Sequence, residues 1–192
     1  MPKEKKHNEE NEALYEYDVS KRDKIIYIKG EIDEDTADRV MKALDMFCNS
    51  NDQKKDNVIT IKINSGGGEI YSGLAIIDAI EAAKKKKFKI ITKASGAAMS
   101  MAAWILASGS KRYATRNTFI MIHQGWYDSY GNWQETKKEH KHNEALEKRC
   151  WDLLSEYTKT SAKKWEEKCV KGSWYMDAEE AKTLNIIDDI IS

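Results

Sequence analysis

One serine, one histidine and one run of glycines stand out in this sequence for the chemistry they could perform together. Ser100 lies in "KASGAAMSMAAWILASG" (Lys93–Gly109), where small and apolar residues crowd round it and no charge falls between Lys93 and Lys111. Just inside the start of an apolar helix that follows a strand, a hydroxyl would meet unsatisfied N–H groups and the positive end of the helix dipole. Its small neighbours Ala97, Ala98, Ala102 and Ala103 would leave room for a substrate. The plainer reading is a packing serine that bonds its own helix backbone. His123 ends the apolar stretch "FIMIH" (Phe119–His123), whereas His7, His140 and His142 sit in charged runs. Alone, it is equally a hydrogen-bonded core residue. "NSGGGE" (Asn64–Glu69) follows a strand-like run, and Gly66, Gly67 and Gly68 can take positive φ and let a ligand approach bare backbone N–H groups. Alone, it is equally a flexible turn. It has neither GxGxxG spacing nor a following Lys-Ser/Thr, which argues against a nucleotide loop. Serine attack on a carbonyl needs a base, an oxyanion site and strands to aim each, and these three features together offer all of them.

The elements that must hold them are legible from side-chain periodicity. "KIIYIKG" (Lys24–Gly30), "NVITIKI" (Asn57–Ile63) and "KFKIIT" (Lys87–Thr92) are β-branched runs and are expected to be strands. Between them, "DEDTADRVMKALDMFCNS" sets Ala37, Val40, Met41, Leu44, Phe47 and Cys48 at helical spacing, and a second helix is expected from Tyr71 to about Ala83. A third helix is expected over Met99–Ala107, then strands "KRYAT" and "FIMIH" on either side of the turn Arg116–Asn117. Strand and helix alternating at this spacing imply parallel crossovers of right-handed sense and an α/β core. From Trp133 to about Lys159 there is neither glycine nor proline, and an apolar stripe (Leu146, Cys150, Leu153, Leu154, Tyr157) occupies only the second half. Such a helix is expected to project from its domain and meet a partner. The closing "DAEEAKTLNIIDDII" is expected to be helix then strand, with Asp177 and Glu180 as an acidic capping box.

Composition sets the outer limits. The 192 residues fit one domain, taken as 21–192, behind a charged arm over 1–20. Lys plus Arg and Asp plus Glu number 32 each, so no whole-chain field favours nucleic acid. The longest apolar run is about half of the ~20 residues that span a bilayer, so no membrane segment is expected. The opening "MPKEKKHNEENEALYEY" has no hydrophobic core of the kind a secretory signal carries, and a cytoplasmic location is expected. Cys48, Cys150 and Cys169 are odd in number and far apart, so they read as reduced thiols rather than as a disulfide or zinc framework. No metal and no cofactor is expected.

In order along the chain, "GEIDEDTADRVMKAL", "INSGGGEIYSGLAIIDAI", "AMSMAAWILASGSKRYATRN", "FIMIHQ" and "MDAEEAKTLNIID" resemble the ClpP family of self-compartmentalising serine peptidases, from about Lys24 to Ile191. The resemblance implies an α/β fold, the ClpP/crotonase-like superhelix of β-β-α units with a projecting handle helix over about 132–159. It implies Ser100 as nucleophile, His123 as general base, and the backbone N–H groups of Gly68 and Met101 as oxyanion hole. It implies endopeptidase action on unfolded proteins or peptides inside a homo-oligomeric chamber, two heptameric rings stacked as a tetradecamer through the handles, with a Clp-type AAA+ unfoldase as partner.

Two departures bear on activity and one on partnership. Gly66 stands where the family's "SPGG" has proline, adding backbone freedom. The family's triad aspartate falls on Ser173 in "CVKGSWYMDAEEA", a segment one residue longer than usual, while Asp177 reads as a helix cap. Either a slow enzyme with Ser173, a carboxylate from elsewhere, or a catalytically weak or inactive scaffold subunit would follow. A crotonase-type acyl-CoA enzyme would share the glycine oxyanion site but leave Ser100 and His123 without a role. The N-terminal segment is far more charged than the family's axial loop, so the unfoldase rests on resemblance alone.

Overall fold

The structure is a computed structural model describing residues 19–20, 23–49, 57–128 and 130–192. Its sheet has eight strands: β1 (Val19–Ser20), β2 (Ile25–Ile32), β3 (Val58–Gly68), β4 (Lys89–Met99), β5 (Lys111–Thr115), β6 (Phe119–Ile122), β7 (Trp174–Met176) and β8 (Asp189–Ile191). Six helices accompany them among the described residues: α1 (Glu34–Asn49), α2 (Ile70–Lys85), α3 (Met101–Ala107), α4 (Trp133–Thr158), α5 (Ala162–Cys169) and α6 (Ala178–Thr183). The strand order is β1-β2-β3-β4-β5-β8, with β6 also on β4 and β7 on β6.

Alternating isoleucines build the centre. Ile26 and Ile28 of β2, Ile59, Ile61 and Ile63 of β3 and Ile90 of β4 are all buried, as β-branched side chains on a covered pleat should be. β2, β3 and β4 pair parallel, as the intervening helices require. On α1, Ala37, Val40, Leu44 and Phe47 are buried as their spacing predicts, but Met41 at the edge of the stripe is 42% exposed. Every residue of α3 is buried, which accounts for its lack of charge. Trp104 of α3 donates its indole N–H to the Cys150 carbonyl at 2.8 Å and packs on Trp151 at 5.6 Å between ring centroids, joining α3 to the second half of α4. No residue from Trp133 to Arg149 is buried, whereas Cys150, Trp151, Leu153 and Leu154 are. Beside them Arg112 of β5 binds Asp188 at 2.6 Å and also reaches the carbonyls of Tyr157 and Asn185, anchoring the C-terminal strand.

Several expectations are corrected. The glycine segment is not a turn: β3 continues through Gly68, with Glu31 opposite Gly67 and Ile32 opposite Gly68 after a register shift between Lys29 and Glu31. Backbone pairing needs no side chains, so this strand outlives its apolar alternation. β4 likewise runs on to Met99, so α3 begins at Met101 and Ser100 sits at the junction rather than inside the helix. β5 and β6 are the strands expected on either side of Arg116–Asn117, and each lies parallel to a different half of β4. Val19 and Ser20, assigned to the arm, pair with Ile26 and Ile25, and the arm over 1–18 lies outside the described residues. Asp177 caps α6 by accepting the Glu180 N–H at 2.8 Å, but the Glu180 carboxylate takes the Trp174 indole N–H at 3.2 Å instead of completing a capping box. The full reciprocal box is at the start of α4, between Asn132 and Glu135.

Candidate active site

Ser100 and His123 meet because two parallel strands end side by side. β6 pairs with the last residues of β4 in the register Ala97–Phe119, Ala98–Ile120 and Met99–Met121. The Ser100 N–H then donates to the Met121 carbonyl at 2.8 Å, clipping the strand-to-helix junction to β6. His123 is the first residue beyond β6, and its Nε2 lies 2.9 Å from Ser100 Oγ. Ser100 has φ 51° and ψ −133°, a conformation that a non-glycine residue holds only when its surroundings impose it. Strain at a serine on a strand–helix turn is characteristic of nucleophiles presented away from both elements.

The glycine segment lies hard against this serine. A Cβ on Gly67, at φ +99°, would come within 2.5 Å of Ser100 Cβ, 2.6 Å of the Met99 carbonyl oxygen and 3.2 Å of Met101 N. One on Gly68, at φ +155°, would strike the main chain of Ile32. Ser65, which sequence reasoning passed over, fixes this path. It is buried, donates to the Gly30 carbonyl and accepts the Gly67 N–H at 3.0 Å. A serine two residues before a strained glycine is the available signal for such a side-chain-to-backbone clasp. Met101 is the first residue of α3, so its N–H has no partner within the helix. Gly67→Ala is therefore expected to destabilise the fold by roughly 2–3 kcal/mol, read as a fall in the urea midpoint. Gly66→Ala, with nothing within 4 Å of its Cβ, should be close to neutral.

Ser100, His123 and Gly68 line one open cleft of about 820 Å³, shared with Tyr71, Trp126 and the carboxylates Glu34, Asp38 and Glu69. The Clp protease family model matches residues 7–192. This chain belongs to the Clp protease family. The α/β sheet with its covering helices is the ClpP fold that the sequence motifs implied, and the general class is a ClpP-like peptidase.

The family resemblance leads to the expectation that the third triad position falls on Ser173. β7 runs antiparallel to β6 with Ile122 opposite Trp174, and continuing that register sets Ser173 opposite His123. Ser173 is exposed and makes no hydrogen bond to His123, and Asp177 is committed to capping α6. What does touch His123 Nδ1 is the indole of Trp126, whose Nε1–H donates to it at 3.1 Å. Nothing in the sequence pattern pointed to Trp126, a loop residue. Burial lowers the pKa of His123 below the ordinary imidazole value of 6.5, with no carboxylate acting in the opposite direction. A base with a depressed pKa stays neutral further into acid. The acid limb of a kcat/KM–pH profile is thus expected to have its midpoint below 6.5, where a carboxylate-backed histidine would be displaced upward.

The remaining titratable candidates are passive. Burial pushes the thiols of Cys150 and Cys169 up to about 11, so neither is a thiolate at neutral pH. Among the described residues no group of three or more His, Cys, Asp or Glu side chains is arranged to hold a metal ion.

Proposed function

We propose that this chain is a serine endopeptidase in which Ser100 attacks and His123 serves as general base, slowed by the lack of a carboxylate at the third position. The observation that carries this reading is the 2.9 Å approach of His123 Nε2 to the hydroxyl of a conformationally strained serine facing an open cleft. Ser100 Oγ adds to the scissile carbonyl carbon as its proton passes to Nε2. The developing oxyanion is met by the N–H groups of Gly68 and Met101, each such donor being worth roughly 10²–10³ in rate. The amine leaves with the Nε2 proton, and water, activated in the same way, releases the acyl group from Ser100.

The substrate class is unfolded protein or peptide, held extended beside the glycine-bearing end of β3 with little demand on side chains. Selectivity then comes from access. A homo-oligomeric chamber of two heptameric rings supplies it, joined through the unburied half of α4, where Trp133 is an exposed aromatic. A Clp-type AAA+ unfoldase would feed such a chamber in the cytoplasm. No helix among the described residues is long and apolar enough to cross a membrane. The second reading, a catalytically weak scaffold subunit that assembles with an active relative, is favoured by one observation, the serine at position 173. Incubating the purified full chain alone with an unstructured polypeptide separates the two. Discrete peptide products support the endopeptidase, and intact substrate after prolonged incubation supports the scaffold.

A further inference from the structure

The contact between Trp126 and His123 fixes which ring nitrogen carries the proton. An indole nitrogen is a donor only, and it lies 3.1 Å from Nδ1. Nδ1 must therefore offer its lone pair, and in the neutral imidazole the proton is then on Nε2. Nε2 is the nitrogen 2.9 Å from Ser100 Oγ. In this tautomer the ring donates to the serine oxygen and has no lone pair with which to take the serine proton. Serine and histidine are adjacent, yet the hydrogen bond between them runs the wrong way for attack.

We propose that Trp126 is a tautomer latch, a positioning residue that holds the site at rest until its indole leaves Nδ1. The latch rests on the serine-peptidase reading above. Three features make it reversible. Trp126 is 88% exposed, so water can satisfy its N–H once it departs. It follows Gly125, and both line the cleft that contains Ser100, so a peptide entering that cleft competes for the space the indole holds. An acceptor is also at hand across the strand pair: the β6–β7 ladder ends at Ile122 opposite Trp174, and residues opposite in an antiparallel ladder share a face, so one further step of the register brings Ser173 to the His123 side.

With the indole gone, one proton moves from Nε2 to Nδ1 through solvent, leaving the ring neutral and its proton count unchanged. Nδ1–H then donates to Ser173 Oγ. Nε2, now bearing a lone pair, takes the Ser100 proton as Oγ bonds to the carbonyl carbon, and later gives that proton to the leaving amine. The ring ends in the same Nδ1–H state in which the cycle began.

The test combines ring ¹⁵N shifts of His123 with the rate of fluorophosphonate labelling, in the full chain and in Trp126→Phe, which keeps an aromatic ring but removes the donor. Trp126→Ala is the second variant; the side chain lies outside the core, so both variants keep the fold. The wild type is expected to show a protonated Nε2 and an acceptor-type Nδ1. Both variants should shift toward the Nδ1–H form and label faster by roughly 2–10-fold, the factor that one neutral hydrogen bond typically controls. A wild-type ring protonated on Nδ1, or variants that label no faster than a reactive wild type, overturns the latch alone. Ring shifts that respond as expected in chains that never label overturn the peptidase reading, and the latch with it.

Discussion

Ser173→Asp raises the rate of peptide hydrolysis roughly 10²–10³-fold over the wild type, on the reasoning that follows from one strand pairing. The β6–β7 ladder ends at Ile122 opposite Trp174, and one further step of that register brings position 173 opposite His123. A carboxylate there accepts only from Nδ1–H, so it favours the tautomer that leaves Nε2 free, and it outcompetes the Trp126 indole for that nitrogen. It also stabilises the imidazolium formed during attack, which a hydroxyl cannot do. Removal of the acid from a complete triad costs about 10⁴ in turnover, and a serine that can still accept a hydrogen bond recovers part of that, so the expected gain is smaller. The substitution has a second signature of fixed sign. Burial alone lowers the pKa of His123 in the wild type, whereas a neighbouring negative charge raises it, so the acid limb of the kcat/KM profile should move upward in the variant. Steady-state kinetics across pH read both effects together. An unchanged rate with an unmoved acid limb would mean that residue 173 does not face the imidazole.

Ser100→Ala and His123→Ala are each expected to lower hydrolysis by about 10², a smaller loss than in a complete triad. There, removal of the nucleophile or base costs about 10⁶ and removal of the acid about 10⁴. The chain that begins without the acid has only the difference left to lose. The two substitutions act on one unit, so the double variant should be no slower than either single one. Residual turnover in all three would reflect binding and the oxyanion donors. Placed in the Ser173→Asp background, the same Ser100→Ala change should cost about 10⁴–10⁵, because the restored acid has raised the starting point by roughly 10²–10³. Parallel progress curves on one unstructured peptide are sufficient. Additive losses in the double variant would show that Ser100 and His123 do not act together.

The sequence carried the centre of this fold in its isoleucines. Alternation through Ile26, Ile28, Ile59, Ile61, Ile63 and Ile90 announces strands because each pleat buries one face against a helix. The uncharged run from Met101 to Ala107 announces a helix buried all round. Pattern fails where side chains vanish. Gly66, Gly67 and Gly68 extend β3, and Gly96, Ala97 and Ala98 extend β4, through main-chain pairing that leaves no periodic trace. β7, at three residues, is too short to show a period. α5 presents only Trp165 and Cys169 to the core among charged residues, one i, i+4 pair that was there to be found.

The site divides along the same line. Ser100, His123, Gly68 and Met101 could be named from residue type and from likeness to the Clp protease pattern. Their adjacency could not, because it depends on β6 pairing with the far half of β4, a contact that no local pattern encodes. The positioning shell was less legible still. Ser65 holds the Gly67 backbone, and Trp126 reaches His123 from a loop, each through a single polar atom.

The central claim, a nucleophilic hydroxyl at Ser100 served by His123, is tested most directly by treating the full chain with a fluorophosphonate and sequencing the modified peptide by mass spectrometry. The expected result is one adduct, on the peptide that contains Ser100, absent after Ser100→Ala and strongly reduced after His123→Ala. A wild-type chain that stays unmodified at saturating reagent, or one modified at another residue while Ser100 remains free, would contradict it.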